Sequence, residues 1–240
     1  MRKFAVFDID GTLYRWQLFH SLVQELTDLR VIQGGGMLND AWHEWRGNRA
    51  SFEKYEATMM NDVLFKSLPG MKTDIFEAAC VAVVESTGHK VHRYTLKLLN
   101  DLKDQDYTII AISGSQQELI GRFCAKYGFD IAIGAIYERD GDVFTGKISR
   151  PTYGHKAEIL KNLVNEHDLT WQDSLAIGDT KSDIDILELV EQPIAFNPTI
   201  ELLEAAKEKA WPIVIERKNL AYHLKAEPDG SIVLAKTDIL

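Results

Sequence analysis

The sequence predicts an α/β fold, a parallel sheet with a block of helices inserted after its first strand. Three observations carry this. Short apolar runs end repeatedly in polar turns, amphipathic patterns separate most of those runs, and the one long interval without a strand has helical spacing. A length of 240 residues fits one large domain, or one domain carrying a smaller one.

Phe4 to Phe7 is the first strand, apolar and followed at once by an acidic, Gly-containing turn. Leu18, Phe19, Leu22, Val23, Leu26 and Leu29 then keep helical spacing, and Gly34-Gly35-Gly36 interrupts. Trp42 and Trp45 mark a further helix, and Ser51 could cap another running through Tyr55, Met59 and Val63. Pro69-Gly70 is a turn, and Ile75 to Val84 is helical again. Residues 14–89 thus read as a helical insertion whose Trp, Tyr and Met residues are core. The expected organisation is a core of residues 1–13 and 90–216, that insertion, and a C-terminal extension over 217–240.

Beyond the insertion, strand and helix alternate. Thr108–Ile112, Leu175–Ile177, Ile194–Phe196 and Pro212–Ile215 read as strands. Leucine-rich patterns over 96–102, 119–125 and 159–164 read as helices, the second stopped by Gly128. Asp140-Gly141 and Asp229-Gly230 signal hairpins.

Composition excludes several functions. There are 27 Lys+Arg against 36 Asp+Glu, a net charge of −9. Nucleic acids and anionic membrane surfaces call for a basic face, so neither is the expected partner. The longest uninterrupted apolar run, Ala78 to Val84, is far short of a membrane span. The start of the chain shows no signal-peptide pattern, and Cys80 and Cys124 read as buried free thiols. A cytoplasmic setting follows as an expectation.

Four motifs carry chemistry. In Asp8-Ile9-Asp10-Gly11-Thr12, positions i and i+2 of an extended chain face one side, so both carboxylates can aim into one site. Two such groups repel unless a proton or cation intervenes, and Mg²⁺, which prefers oxygen ligands, suits them. Ser113-Gly114-Ser115 offers a hydroxyl and backbone N–H groups near a helix start, as a phosphate site or a plain cap. Lys156 lies in the first turn of a helix, where the macrodipole does not favour it. A fixed charge for a phosphoryl group would explain it. Gly178-Asp179 through Asp183 supplies a further carboxylate for a metal and a partner for Lys156.

In that order, these motifs resemble those of the haloacid dehalogenase (HAD) superfamily of phosphohydrolases. The insertion is similar to its C1 helical cap, and the closest subfamily likeness is the phosphoserine-phosphatase-like group, IB. Ser113-Gly114-Ser115, Ala195-Phe196-Asn197-Pro198 and Trp211-Pro212 support that likeness. The resemblance implies a Rossmann-like core and Mg²⁺-dependent hydrolysis of a small-molecule phosphomonoester. It implies Asp8 as nucleophile and Asp10 as acid and base. Ser113, the Gly114 N–H and Lys156 would bind the phosphoryl group. The metal would be held by Asp8, the Asp10 carbonyl and Asp179, with Asp183 acting through water or by orienting Lys156. A monomer or homodimer is expected.

Asp10 favours phosphomonoester chemistry, either hydrolysis or transfer to a second hydroxyl, so a mutase is the enzymatic alternative. A non-catalytic phosphate- or metal-binding module is the other, and the full acidic set argues against it. A receiver domain would need only about half this length. Gln17 stands where phosphoserine phosphatases carry a substrate-reading Glu, which argues against phosphoserine itself. Arg46 and Arg49 read as solvated helix charges, and Trp16 as a pocket wall or simple packing.

Overall fold

β1 (Arg2–Phe7) buries Phe4 through Phe7 completely at the centre of a nine-stranded sheet. The computed structural model describes the backbone of residues 1–240 and every side chain except those of Ala50 and Glu53. β1 pairs in parallel with β2 (Thr108–Gln116) on one side and β5 (Leu169–Gly178) on the other. β3 (Ile131–Asp140) and β4 (Val143–Arg150) extend the first side. β6 (Gln192–Phe196), β7 (Ile213–Arg217), β8 (Leu220–Ala226) and β9 (Ile232–Ile239) extend the second. The pairings from β3 to β7 are parallel, and those of β4, β8 and β9 are antiparallel. Both Asp-Gly turns therefore close hairpins.

Both faces of the sheet are covered, which is why β1 is apolar without alternation. Ala5 and Phe7 face one core and Phe4 and Val6 the other. The second core is built with α8 (Lys156–Glu166), α9 (Ile184–Leu187) and α10 (Ile200–Glu208). The first is built with α6 (Arg93–Lys103) and α7 (Gln117–Tyr127), and it continues without a break into the inserted helices. Truncating a ring such as Phe7 to Ala should cost about 3–5 kcal/mol.

The insertion comprises α1 (Leu18–Asp28), α2 (Gly35–Gly47), α3 (Phe52–Ala57), a wide π-type turn over Thr58–Leu64, α4 (Phe65–Ser67) and α5 (Thr73–Thr87). Two local expectations are corrected. Only Gly34 breaks the chain, at φ 120°, while Gly35 and Gly36 already belong to α2. Ser51 precedes α3, but its hydroxyl donates to the Asn48 carbonyl and caps nothing.

The chain leaves and re-enters the core side by side. Arg15 N–H donates to the Lys90 carbonyl and His92 N–H to that of Leu13, both at 2.9 Å. Glu216 of β7 ties this crossing down, accepting from the Arg15 guanidinium at 2.7 Å and the Tyr94 N–H at 2.9 Å. The β3–β4 hairpin grips the far end of the insertion, where Phe144 and Met71 share a 2.9 Å backbone bond. No helix among the described residues is long and apolar enough to cross a membrane.

Candidate active site

The strand order reverses at β1, and in such sheets ligands bind beyond the strand ends where it does so. The C-terminal ends of β1, β2 and β5 bring Asp8, Ser113 and Asp179 to that point. Asp8 follows β1 directly, and its N–H donates to the Ile177 carbonyl of β5 at 3.0 Å.

Lys156 opens α8, 3% exposed, and its ammonium lies 2.8 Å from Asp8 Oδ1 and 2.6 Å from Asp183 Oδ1. Burial works against its charge, but the two carboxylates outweigh that and hold it protonated well above the ordinary lysine range. Asp183 is itself fixed, because its Oδ2 accepts the N–H groups of Asp179 and Thr180 at 3.1 and 3.0 Å. The loop after β5 is thereby folded onto one carboxylate.

Asp8, Asp179 and Asp183 each present an oxygen within 4.8 Å of the others. Burial pushes Asp8 up to about 7, with Lys156 pulling it back and Asp183 and Asp10 adding to the rise. Burial, Asp8 and Asp183 push Asp179 well above the usual carboxylate range as well. One ammonium does not balance this set. Three hard oxygen donors short of positive charge fit a hard divalent cation.

Gly11 is required here. Its φ is +85°, and a Cβ at that position would stand 2.0 Å from Asp179 Oδ2. The backbone of the first motif and the carboxylate of the fourth are in close contact, and the Thr12 hydroxyl adds a 3.2 Å bond to Asp179 Oδ1.

Asp10 departs from the spacing argument. Its side chain is not one of the three clustered carboxylates. Oδ2 accepts from the hydroxyls of Ser113 and Ser115 at 2.7 and 2.8 Å, and Oδ1 from the Leu18 N–H at 2.5 Å. β1 has ended at Phe7, so the two-residue alternation of a strand no longer applies. Burial raises Asp10 above the ordinary aspartate value, and those three donors only partly offset it.

Ser113-Gly114-Ser115 lies in the last residues of β2, and α7 begins two residues on at Gln117, so the motif is near the helix start as expected, while the residue that precedes the helix is Gln116 and none of the three is a plain cap. Spacing alone did not assign roles to Ser115, Thr12 or Thr152. The first two stand within motifs and could have been found from them. Thr152, whose buried hydroxyl donates to the Ser113 carbonyl at 2.8 Å, carries no local signal. Gln17 ends the segment before α1, and Arg46 and Arg49 are exposed.

Residues 5–188 match the family of haloacid dehalogenase-like hydrolases. The chain belongs to that family. It is 23% identical over 223 residues to a phosphoserine phosphatase of Wolinella succinogenes, covering 91% of this chain and 96% of that one. A histidinol-phosphatase of Neisseria meningitidis is 33% identical over 115 residues, covering 45% of this chain and 51% of that protein. In shape the chain is similar to a phosphoserine phosphatase solved as a phospho-aspartyl intermediate analogue. The TM-score is 0.62 at 19% identity, over 90% of this chain and 94% of the other. Within the family, the chain is phosphoserine-phosphatase-like.

Proposed function

We propose that the chain is a Mg²⁺-dependent phosphomonoester hydrolase that works through an aspartyl-phosphate on Asp8, acting on a small-molecule phosphate. One observation carries this: Lys156 bridges Asp8 and Asp183, while Asp10 is held apart by two serine hydroxyls. The carboxylates are thus divided into a charge-compensated nucleophile and a separate acid. The family membership and the printed activities of the two relatives support the same reading.

Asp8 attacks phosphorus, forming a carboxyl O–P bond as the ester P–O bond breaks. Asp10, which burial inclines to hold a proton, gives it to the departing alkoxide. It then takes a proton from water as the water oxygen attacks the acyl phosphate, releasing phosphate and restoring Asp8. Ser113, the Gly114 N–H and Lys156 bind the phosphoryl oxygens, and Lys156 offsets their growing charge. Asp8, Asp179 and the Asp10 carbonyl would hold Mg²⁺, which when bound supplies positive charge to the phosphoryl group. Asp183 orients Lys156.

In this reading residues 14–89 form a cap that excludes water and selects the leaving group. The two buried free cysteines support a reducing, cytoplasmic setting, and the net charge of −9 argues against nucleic acid as partner. We take the assembly to be a monomer or homodimer.

A panel of phosphomonoesters assayed with Mg²⁺, including an aryl phosphate, tests the proposal. Mg²⁺-dependent release of phosphate is expected. No turnover of any ester would overturn it.

A further inference from the structure

The sheet ends at β9, whose one neighbour is β8, and among the described residues nothing pairs with its outer edge. An open edge offers a row of backbone N–H and C=O groups to another strand. β9 also exposes three large apolar side chains, Ile232, Leu234 and Ile239, at 36%, 56% and 84%. No other strand among the described residues exposes more than one.

The register with β8 sorts these side chains by face. Lys236 stands opposite His223, and Asp238 opposite Ala221, which is buried in the first core. Thr237 and Ile239 stand opposite Tyr222 and Leu220, on the other face. The register then slips by one residue at Ala235, so Leu234 stands opposite Leu224, which packs on the second core. Leu234 therefore faces the same way as Ile239. One face of the edge is charged and the other apolar. Asp238 Oδ2 lies 2.6 Å from His223 Nε2 and 3.3 Å from Lys236 Nζ, which holds the charged row in place.

A lone lysine on an edge strand repels another copy of that strand. Lys236 is not alone. An antiparallel pairing about a two-fold axis sets one residue opposite itself. Centred on Lys236 or on Asp238, it would bring like charges face to face. Centred on Thr237, it sets Lys236 opposite the partner's Asp238, twice, and Ile239 beside the partner's Ala235 and Leu234. No other two-fold register makes both ion pairs.

We propose that β9 is the interface for a second copy of this chain, paired antiparallel about Thr237 so that the sheet runs on from one copy into the other. The charge pattern selects both the partner and the register. The interface lies five strands from β1, so it leaves both sites open and does not rest on the phosphatase reading.

Analytical ultracentrifugation of the full-length protein tests this. An interface of one strand per copy is at the small end of specific ones, so the dimer should appear between about 1 and 100 μM. Lys236→Glu and Asp238→Lys each set like charges opposite one another, and each variant alone should associate at least about tenfold more weakly. Mixed in equal amounts they restore both ion pairs, so a mixed dimer should form with about the affinity of the unaltered protein. Circular dichroism checks that each variant is folded. If Asp238→Lys, which also loses its bond to His223, does not fold, Leu234→Lys on the apolar face carries the test and should give a monomer. A monomer at every concentration overturns the proposal. So does a dimer that these variants leave unchanged, or a mixture that associates no better than its components.

Discussion

The Lys156 ammonium is closer to Asp183, at 2.6 Å, than to Asp8, at 2.8 Å. The cation at the site is therefore aimed by a residue other than the proposed nucleophile. Asp183 in turn is locked by two backbone N–H groups. Lys156→Ala would leave these buried carboxylates without their shared cation, a loss of about 3–5 kcal/mol by the measure of other buried pairs. Turnover should fall by about 10²-fold or more. Thermal unfolding and steady-state kinetics of the variant check both, and a stable, active Lys156→Ala contradicts the assignment.

Gly11→Ala should act on Asp179 at a distance in sequence. The new methyl group would collide with Asp179 Oδ2, at a φ that alanine rarely adopts. Mg²⁺ dependence should shift to higher concentration, by about tenfold or more, as the carboxylate is displaced. A magnesium titration of activity reads this directly, and an unchanged half-saturation point argues against Asp179 as a ligand.

Metal-free protein should lose stability as pH rises towards neutrality. Burial raises Asp8 to about 7, against a pull downward by Lys156 and a push upward by Asp183 and Asp10. Asp179 is raised as well. A carboxyl raised in the folded state keeps a proton that the unfolded chain has released, so stability falls as pH climbs from about 4 to about 7. The change is on the order of a few kcal/mol, at about 1.4 kcal/mol per pH unit. Melting temperatures in EDTA should decline across this range, and Mg²⁺ should restore most at its upper end. A flat profile unaffected by Mg²⁺ would contradict the clustered-carboxylate account.

Asp10→Asn should separate substrates by leaving group. An alkyl phosphate needs a proton on the departing oxygen, and an activated aryl phosphate barely does. The alkyl ester should lose about 10²- to 10⁴-fold in kcat, and the aryl ester far less in the formation of the aspartyl-phosphate. Pre-steady-state bursts on both substrates distinguish the cases. Equal losses count against Asp10 as the acid.

The order of strands and helices could be read from the sequence because the central strands are buried on both faces and so appear as unbroken apolar runs. The two hairpins could be read because Asp-Gly turns are local chemistry. The acidic cluster could be read in its membership, through Asp8, Asp179 and Asp183, because each lies at a strand end or the turn after it. The orientation of Asp10 could not. It depends on Leu18, Ser113 and Ser115, which lie 8, 103 and 105 residues away.

The central claim is that Asp8 becomes phosphorylated during turnover. The most direct measurement is mass spectrometry of acid-quenched enzyme after reduction with borohydride, which converts an aspartyl-phosphate to homoserine. The account predicts substrate-dependent conversion at residue 8 alone, absent from Asp8→Asn, which should also be inactive with its fold intact. Turnover with no conversion at residue 8, or an Asp8→Asn variant that keeps its activity, would contradict it.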